Sequence, residues 1–200
     1  VLVPLTLSAQ TKARPVPRTP DGHPDLQGIW DFRSATALER PARFAGREFM
    51  TNMQIVQTPG YVTIFTEMIH DARVVPMDGR PHNSPNLRSW MGDSRGRWEG
   101  AALVVDTTNF TDRTNFRGAG ANLHLVERFT RVGADTIEYR FTLDDPTTWT
   151  KPWTVAYPIV RTDGPIYEFA CHEGNYGLRG ILSGARYEEK VAQDADRKKQ

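Results

Sequence analysis

Apolar and polar positions alternate through most of the chain from Leu26 onward. The clearest case is Ile137, Tyr139, Phe141 and Leu143, which interleave with Glu138, Arg140 and Thr142. A period of two sets one face of a strand against a core and the other toward water. Leu123 to Val132 precedes it, with Leu123, Leu125 and Phe129 on one face and His124, Val126 and Arg128 on the other. Gly133-Ala134-Asp135 joins the two runs, and together they predict a hairpin. Trp149 to Val160 predicts the next strand, with Trp153, Val155, Tyr157 and Ile159 sharing a face, and Thr162-Asp163-Gly164-Pro165 turns the chain toward a short run from Ile166 to Cys171.

The same punctuation holds upstream. Gln54 to Gln57 ends at Pro59-Gly60, Tyr61 to Ile69 is rich in β-branched and aromatic residues, and Ala72 to Pro76 is closed by Asp78-Gly79; each reads as a strand bounded by turn chemistry. Leu26 to Phe32 predicts the first strand, with Trp30 as its core anchor. Ala35 to Met50 has no readable period, and Pro41 stops any helix it begins.

Trp90 to Phe110 holds the one stretch with catalytic lettering. Gly92-Asp93-Ser94-Arg95-Gly96 spells G-x-S-x-G, but a nucleophile elbow needs a helix after the serine. Here Trp98 restarts an apolar run that ends at Val105. The expectation is therefore a hairpin corner over Gly92 to Gly96, its glycines taking positive φ. Thr107 to Ala121, rich in Thr, Asn, Arg and Gly, predicts a long polar loop.

These runs amount to roughly eight strands at short spacing without a long amphipathic helix, the signature of an all-β protein. The expected fold is an antiparallel meander closing into a lipocalin/calycin-like barrel, with a β-sandwich as the alternative. The expected organisation is a signal remnant and proline-rich linker over 1–25, one β-barrel domain over 26–186 and a charged tail over 187–200.

Composition narrows the classes of function. The chain has 200 residues and a formal net charge of +1 with both signs interspersed, which favours neither nucleic acid nor an anionic membrane. One cysteine, Cys171, excludes an intrachain disulfide. The opening V-L-V-P-L-T-L-S-A-Q is apolar, ends in small residues and is too short to span a bilayer; it reads as the remnant of a secretory signal, so the expectation is export to the periplasm or medium, with no integral membrane segment. His23 lies in the proline-rich stretch after it, where solvent is its expected surrounding.

Four segments carry a family resemblance: Gln54 to Tyr61 (QIVQTPGY), Trp90 to Gly96 (WMGDSRG), Asn122 to Thr130, and Cys171 to Tyr176 (CHEGNY). Across Leu26 to Arg186 the chain resembles a family of secreted soil-bacterial proteins without an established activity. The resemblance implies export and one coherent fold, implies no catalytic residue, and makes the chain shorter than such relatives between Arg40 and Asn52.

Chemistry is read from residue types. Glu127 falls on the apolar face of its strand, where a carboxylate is costly unless paired; it either meets an arginine that holds the fold, orients a ligand, or acts as an acid or base. His172-Glu173-Gly174-Asn175-Tyr176-Gly177 gathers acid, base and hydrogen-bonding groups in one turn region. His70, His124 and His172 are the candidate ligands for a divalent metal, although none has a diagnostic spacing. Trp149 and Trp153, placed on one face of one strand, form a candidate stacking platform. Two functions follow as expectations. One is an exported barrel that binds a small, partly apolar or aromatic molecule through Trp149, Trp153, Asn175, Tyr176 and Glu127. The other is an exported acid/base or metal-assisted hydrolase or isomerase using His172, Glu173 and Glu127.

Overall fold

The computed structural model describes residues 15–32, 52–168 and 176–197. The chain forms two compact units, Val1–Tyr167 and Glu168–Gln200. Among the described residues the first contains nine strands: β1 (Gly28–Asp31), β2 (Asn52–Thr58), β3 (Tyr61–Thr66), β4 (Ala72–Pro76), β5 (Asp93–Glu99), β6 (Ala102–Thr108), β7 (His124–Arg131), β8 (Thr136–Asp144) and β9 (Trp153–Thr162). The described residues of the second hold one helix, α1 (Gly177–Arg197), whose Ile181, Leu182, Tyr187 and Val191 are exposed. The sequence expectation of a charged tail over 187–200 thus meets a helix that begins ten residues earlier, at Gly177. This 21-residue amphipathic helix corrects the expectation of a chain without a long amphipathic helix. No helix among the described residues is long and apolar enough to cross a membrane.

All nine strands belong to one antiparallel sheet in the order β4-β3-β2-β1-β9-β8-β7-β6-β5. It consists of two meanders, β1 to β4 and β5 to β9, joined where β1 pairs with β9 at Ile29↔Thr162, Trp30↔Arg161 and Asp31↔Val160. Strand direction alternates across every ladder, so nine strands leave the edges β4 and β5 pointing the same way. An antiparallel ladder cannot join such edges, and none does among the described residues. The all-β antiparallel expectation holds, and the sheet is not closed by a ladder.

Side chains meet across the β4/β5 edge instead. A Cβ on Gly96 of β5 would lie 2.2 Å from Met77 Sδ and 2.9 Å from Val75 Cγ1; only glycine lets β5 come this near β4. This also corrects the expected corner at Gly92 to Gly96. Gly92 does take positive φ, +70°, but Gly96 lies inside β5, and the chain turns beyond Glu99 at Gly100. The absence of a helix after Ser94 agrees with the rejection of a nucleophile elbow.

Both meanders feed one core. Trp30, Met53, Ile55, Val62, Ile64, Val75, Leu103, Val105, Phe129, Ile137, Tyr139 and Ile159 pack together, all from the inward positions of the strands. Trp30 is fully buried, as its apolar run predicts, and its indole N–H donates to the Leu26 carbonyl at 2.8 Å. A second cluster, Phe110, Ala119, Leu123 and Leu143, lies beside the long loop after β6.

Candidate functional site

Glu127 does face inward from β7, and its partner comes from the far edge of the sheet. Arg73 on β4 donates from Nη1 to Glu127 Oε2 at 2.6 Å and from Nη2 to Oε1 at 2.8 Å, a two-point grip between residues 54 apart in sequence. The Tyr139 hydroxyl of β8 donates to Oε1 at 2.7 Å. Of the readings open to Glu127, an arginine partner is what the structure supplies. Burial works against the Arg73 charge, but the Glu127 charge and its hydrogen bonds outweigh it, so the guanidinium is held above its ordinary value. Burial first, then the Glu127 charge, pushes the Tyr139 phenol well up, and the same two causes bring Tyr157 to about 12. All three groups therefore keep their protons at neutral pH.

Above this ion pair the β4/β5 edge parts into a cleft of about 390 Å³, lined by Ala72, Arg73 and Val74 on one side and by the 89–94 segment on the other. Val75 and Met77 close the edge against Gly96 further along the strands. Ser94, at the cleft wall, is buried and shares a hydrogen bond with the Thr107 hydroxyl at 2.9 Å; a threonine is no general base, so this serine is a structural one.

The segment that carries the 89–94 wall is fastened to the outer face of β5 and β6. His82 places Nδ1 3.2 Å from Asp93 Oδ2 and Nε2 3.1 Å from Asp106 Oδ1. Asn83 donates to Asp93 from both its backbone and its side chain, and Arg95 Nη1 donates to Asp93 Oδ1 at 2.6 Å. Burial alone would raise Asp93, but the Asn83 amide and Arg95 together hold it below the usual carboxylate range.

A second pocket, also about 390 Å³, opens on another part of the sheet. Its walls are the 19–23 segment, the β2–β3 turn around Pro59, and Val62, Met77 and Trp98. The segment expected as a solvated tether is folded here: Thr19 N donates to the His23 carbonyl at 2.9 Å, and the His23 ring lies flat on Trp98 with centroids 4.7 Å apart and planes 6° off parallel. Gln57 fastens the end of this segment, accepting from Leu26 N at 2.5 Å and donating to the Pro24 carbonyl at 3.2 Å. Thr19, Asp21 and Gln27 supply polar groups at the rim. Sequence reasoning missed His23 and Gln57. The only available signal was the density of turn-forming residues in Thr19 to His23, which predicts a fold-back as readily as a linker.

The other predicted residues separate. Trp149 and Trp153 do approach, with centroids 5.3 Å apart, but at 90° to one another. Trp149 precedes β9 rather than sharing its strand, and its amide donates to the Asp145 carbonyl at 2.8 Å. Both rings pack on the second apolar cluster, and Trp153 also meets Phe141 edge-on. The expected sharing of one strand face is therefore corrected: the two rings meet edge to face, half-buried beside the second apolar cluster. Tyr176 belongs to the second unit and is exposed. His172, Glu173 and Asn175 lie outside the described residues, as does the opening apolar stretch. His124 lies on the outer face of β7 with Nε2 3.1 Å from Asp106 Oδ1, and His70 sits exposed in the 3₁₀ turn Met68–His70. Among the described residues no group of three His, Cys, Asp or Glu side chains is placed to hold a metal ion. No protein-family model, curated protein or solved structure matches the chain.

Proposed function

We propose that this is an exported protein whose sheet rolls into an open, lipocalin-like barrel and binds a small, partly aromatic molecule beside Trp98. The observation that carries this reading is the pocket of about 390 Å³ between the 19–23 segment and Val62, Met77 and Trp98. Its volume lies in the range of small-molecule sites, and its make-up, apolar and aromatic walls with a few polar groups at the rim, is what such sites use. The stacked His23 and Trp98 rings offer a planar ligand a face to pack against. Export rests on the apolar opening of the chain and on the family resemblance. The alternative of a hydrolase or isomerase rests on His172 and Glu173 and gains no support from the described residues.

Titrating the purified protein with a panel of small aromatic compounds, indole and naphthalene derivatives among them, tests the reading through intrinsic tryptophan fluorescence and calorimetry. Saturable one-to-one binding that is lost in Trp98→Ala supports it. If no member binds the folded protein, or if Trp98→Ala binds as tightly as the parent, the reading fails.

A further inference from the structure

The cleft between β4 and β5 is a separate feature from the Trp98 pocket, and it holds a cation with bonding capacity to spare. A guanidinium has five N–H donors, which form an end-on fork, Nη1 with Nη2, and a side-on fork that includes Nε. Glu127 occupies the end-on fork of Arg73. No other hydrogen bond of Arg73 exists among the described residues, so Nε carries no partner among them. The side chain is nine-tenths buried, with a relative exposure of 10%. Yet among the described residues no fully buried side-chain nitrogen or oxygen lacks a partner. Nε is therefore not sealed from solvent, and Arg73 lines the cleft.

A free guanidinium fork fits two coplanar oxygens, which is the geometry of a carboxylate. The cleft surroundings select further. Trp90 is 61% exposed and Val74 59% exposed, and both line the cleft, so apolar surface is available there to the body of a ligand. Asp93, the one acid in the lining, is tied down by Arg95, Asn83 and His82 and presents no free carboxylate to an incoming anion. Glu127 on the opposite edge of the same guanidinium weakens its pull on a second anion, so a carboxylate gains here from its two coplanar oxygens and needs the apolar contacts as well.

We propose that the β4/β5 cleft is a second ligand site, taking a small organic monocarboxylate whose carboxylate docks side-on to Arg73 and whose apolar or aromatic body packs on Trp90 and Val74. Benzoate is a suitable probe, with benzamide as its neutral isostere. In heteronuclear NMR titrations of the whole chain, benzoate is expected to move the Arg73 Nε and Trp90 indole signals saturably, while benzamide binds at least about tenfold more weakly. Trp90→Ala weakens benzoate by about fivefold, and Arg73→Lys, which keeps the charge and loses the fork, weakens it about tenfold or more. The Trp98 indole signal stays still at benzoate concentrations that saturate the Arg73 and Trp90 signals, which separates this site from the Trp98 pocket. Equal binding of benzoate and benzamide, still Arg73 and Trp90 signals, or undiminished affinity in Trp90→Ala each overturns the proposal. Should Arg73→Lys fail to fold, the isostere comparison and Trp90→Ala decide alone.

Discussion

Arg73 and Glu127 hold each other by two hydrogen bonds of 2.6 and 2.8 Å, although β4 and β7 stand six places apart in the order of the sheet. The pair spans the interior where β4 has no ladder partner on its outer side, and so it fastens an edge strand to the opposite meander. A grip of this kind locates β4 without closing the sheet.

Removing one partner leaves a buried charge unanswered. Glu127→Gln is expected to destabilise the protein by about 3–5 kcal/mol, whereas Arg73→Met with Glu127→Leu and Tyr139→Phe, which also removes the hydroxyl that Glu127 accepts from, restores most of the loss, since well-packed apolar residues replace buried ion pairs at little cost. Chemical denaturation of the two variants measures the contrast. Equal instability of the single and triple variants would show that the pair supplies more than charge balance.

Gly96→Ala places a methyl group against Met77 and Val75. The Met77 thioether can move aside but the fully buried Val75 cannot, so a loss of about 1–3 kcal/mol is expected. Combining it with Val75→Ala, itself destabilising, gives less than the sum of the two losses. A double-mutant cycle by urea denaturation reads the coupling, and strict additivity would deny the contact.

The phenols set an alkaline limit. Tyr139 and Tyr157 both keep their protons in the folded protein at pH values where the unfolded chain, with tyrosine near its ordinary value of about 10, has released them. Above that pH the folded state binds more protons than the unfolded state, so stability falls as pH rises from about 10, and the Tyr157 share of the fall ends near 12. Tyr157→Phe is expected to reduce the slope. Melting temperatures across alkaline buffers, with tyrosinate absorbance followed in parallel, report it.

Acid acts on the segment that lines the cleft. Asp93 is held below the usual carboxylate range, so its contribution is fully present above the unfolded value and is lost as pH falls through the lower folded one. Hydrogen exchange of the Asn83 amide, which donates to Asp93 at 2.8 Å, is expected to rise more steeply there than that of the β8 amides. Asp93→Asn removes this pH dependence.

Trp153→Ala separates core from ligand site. Its ring packs on the second apolar cluster, so truncation costs about 3–5 kcal/mol, while binding at the Trp98 pocket persists in the folded fraction. Loss of binding without loss of stability would return Trp153 to the role of a stacking platform.

Local chemistry marked most of the strands. Ala72–Pro76 is delimited by its own apolar run and the Asp-Gly turn after it, and strict alternation places Ile137, Tyr139 and Glu127 on inward faces. These features depend on neighbours in the chain, which the sequence displays. The sheet order, the open β4/β5 edge and the Arg73 partner of Glu127 depend on which meander meets which, over separations such as 54 residues, and periodicity holds no record of that. His23 shows the same division: its turn-rich neighbourhood was visible, but only the packed fold brings Trp98 against its ring. Gly96 is the converse case. Its letter in G-x-S-x-G suggested a turn or a nucleophile, and tertiary packing gave it a different reason to be glycine, the room that Met77 and Val75 take up.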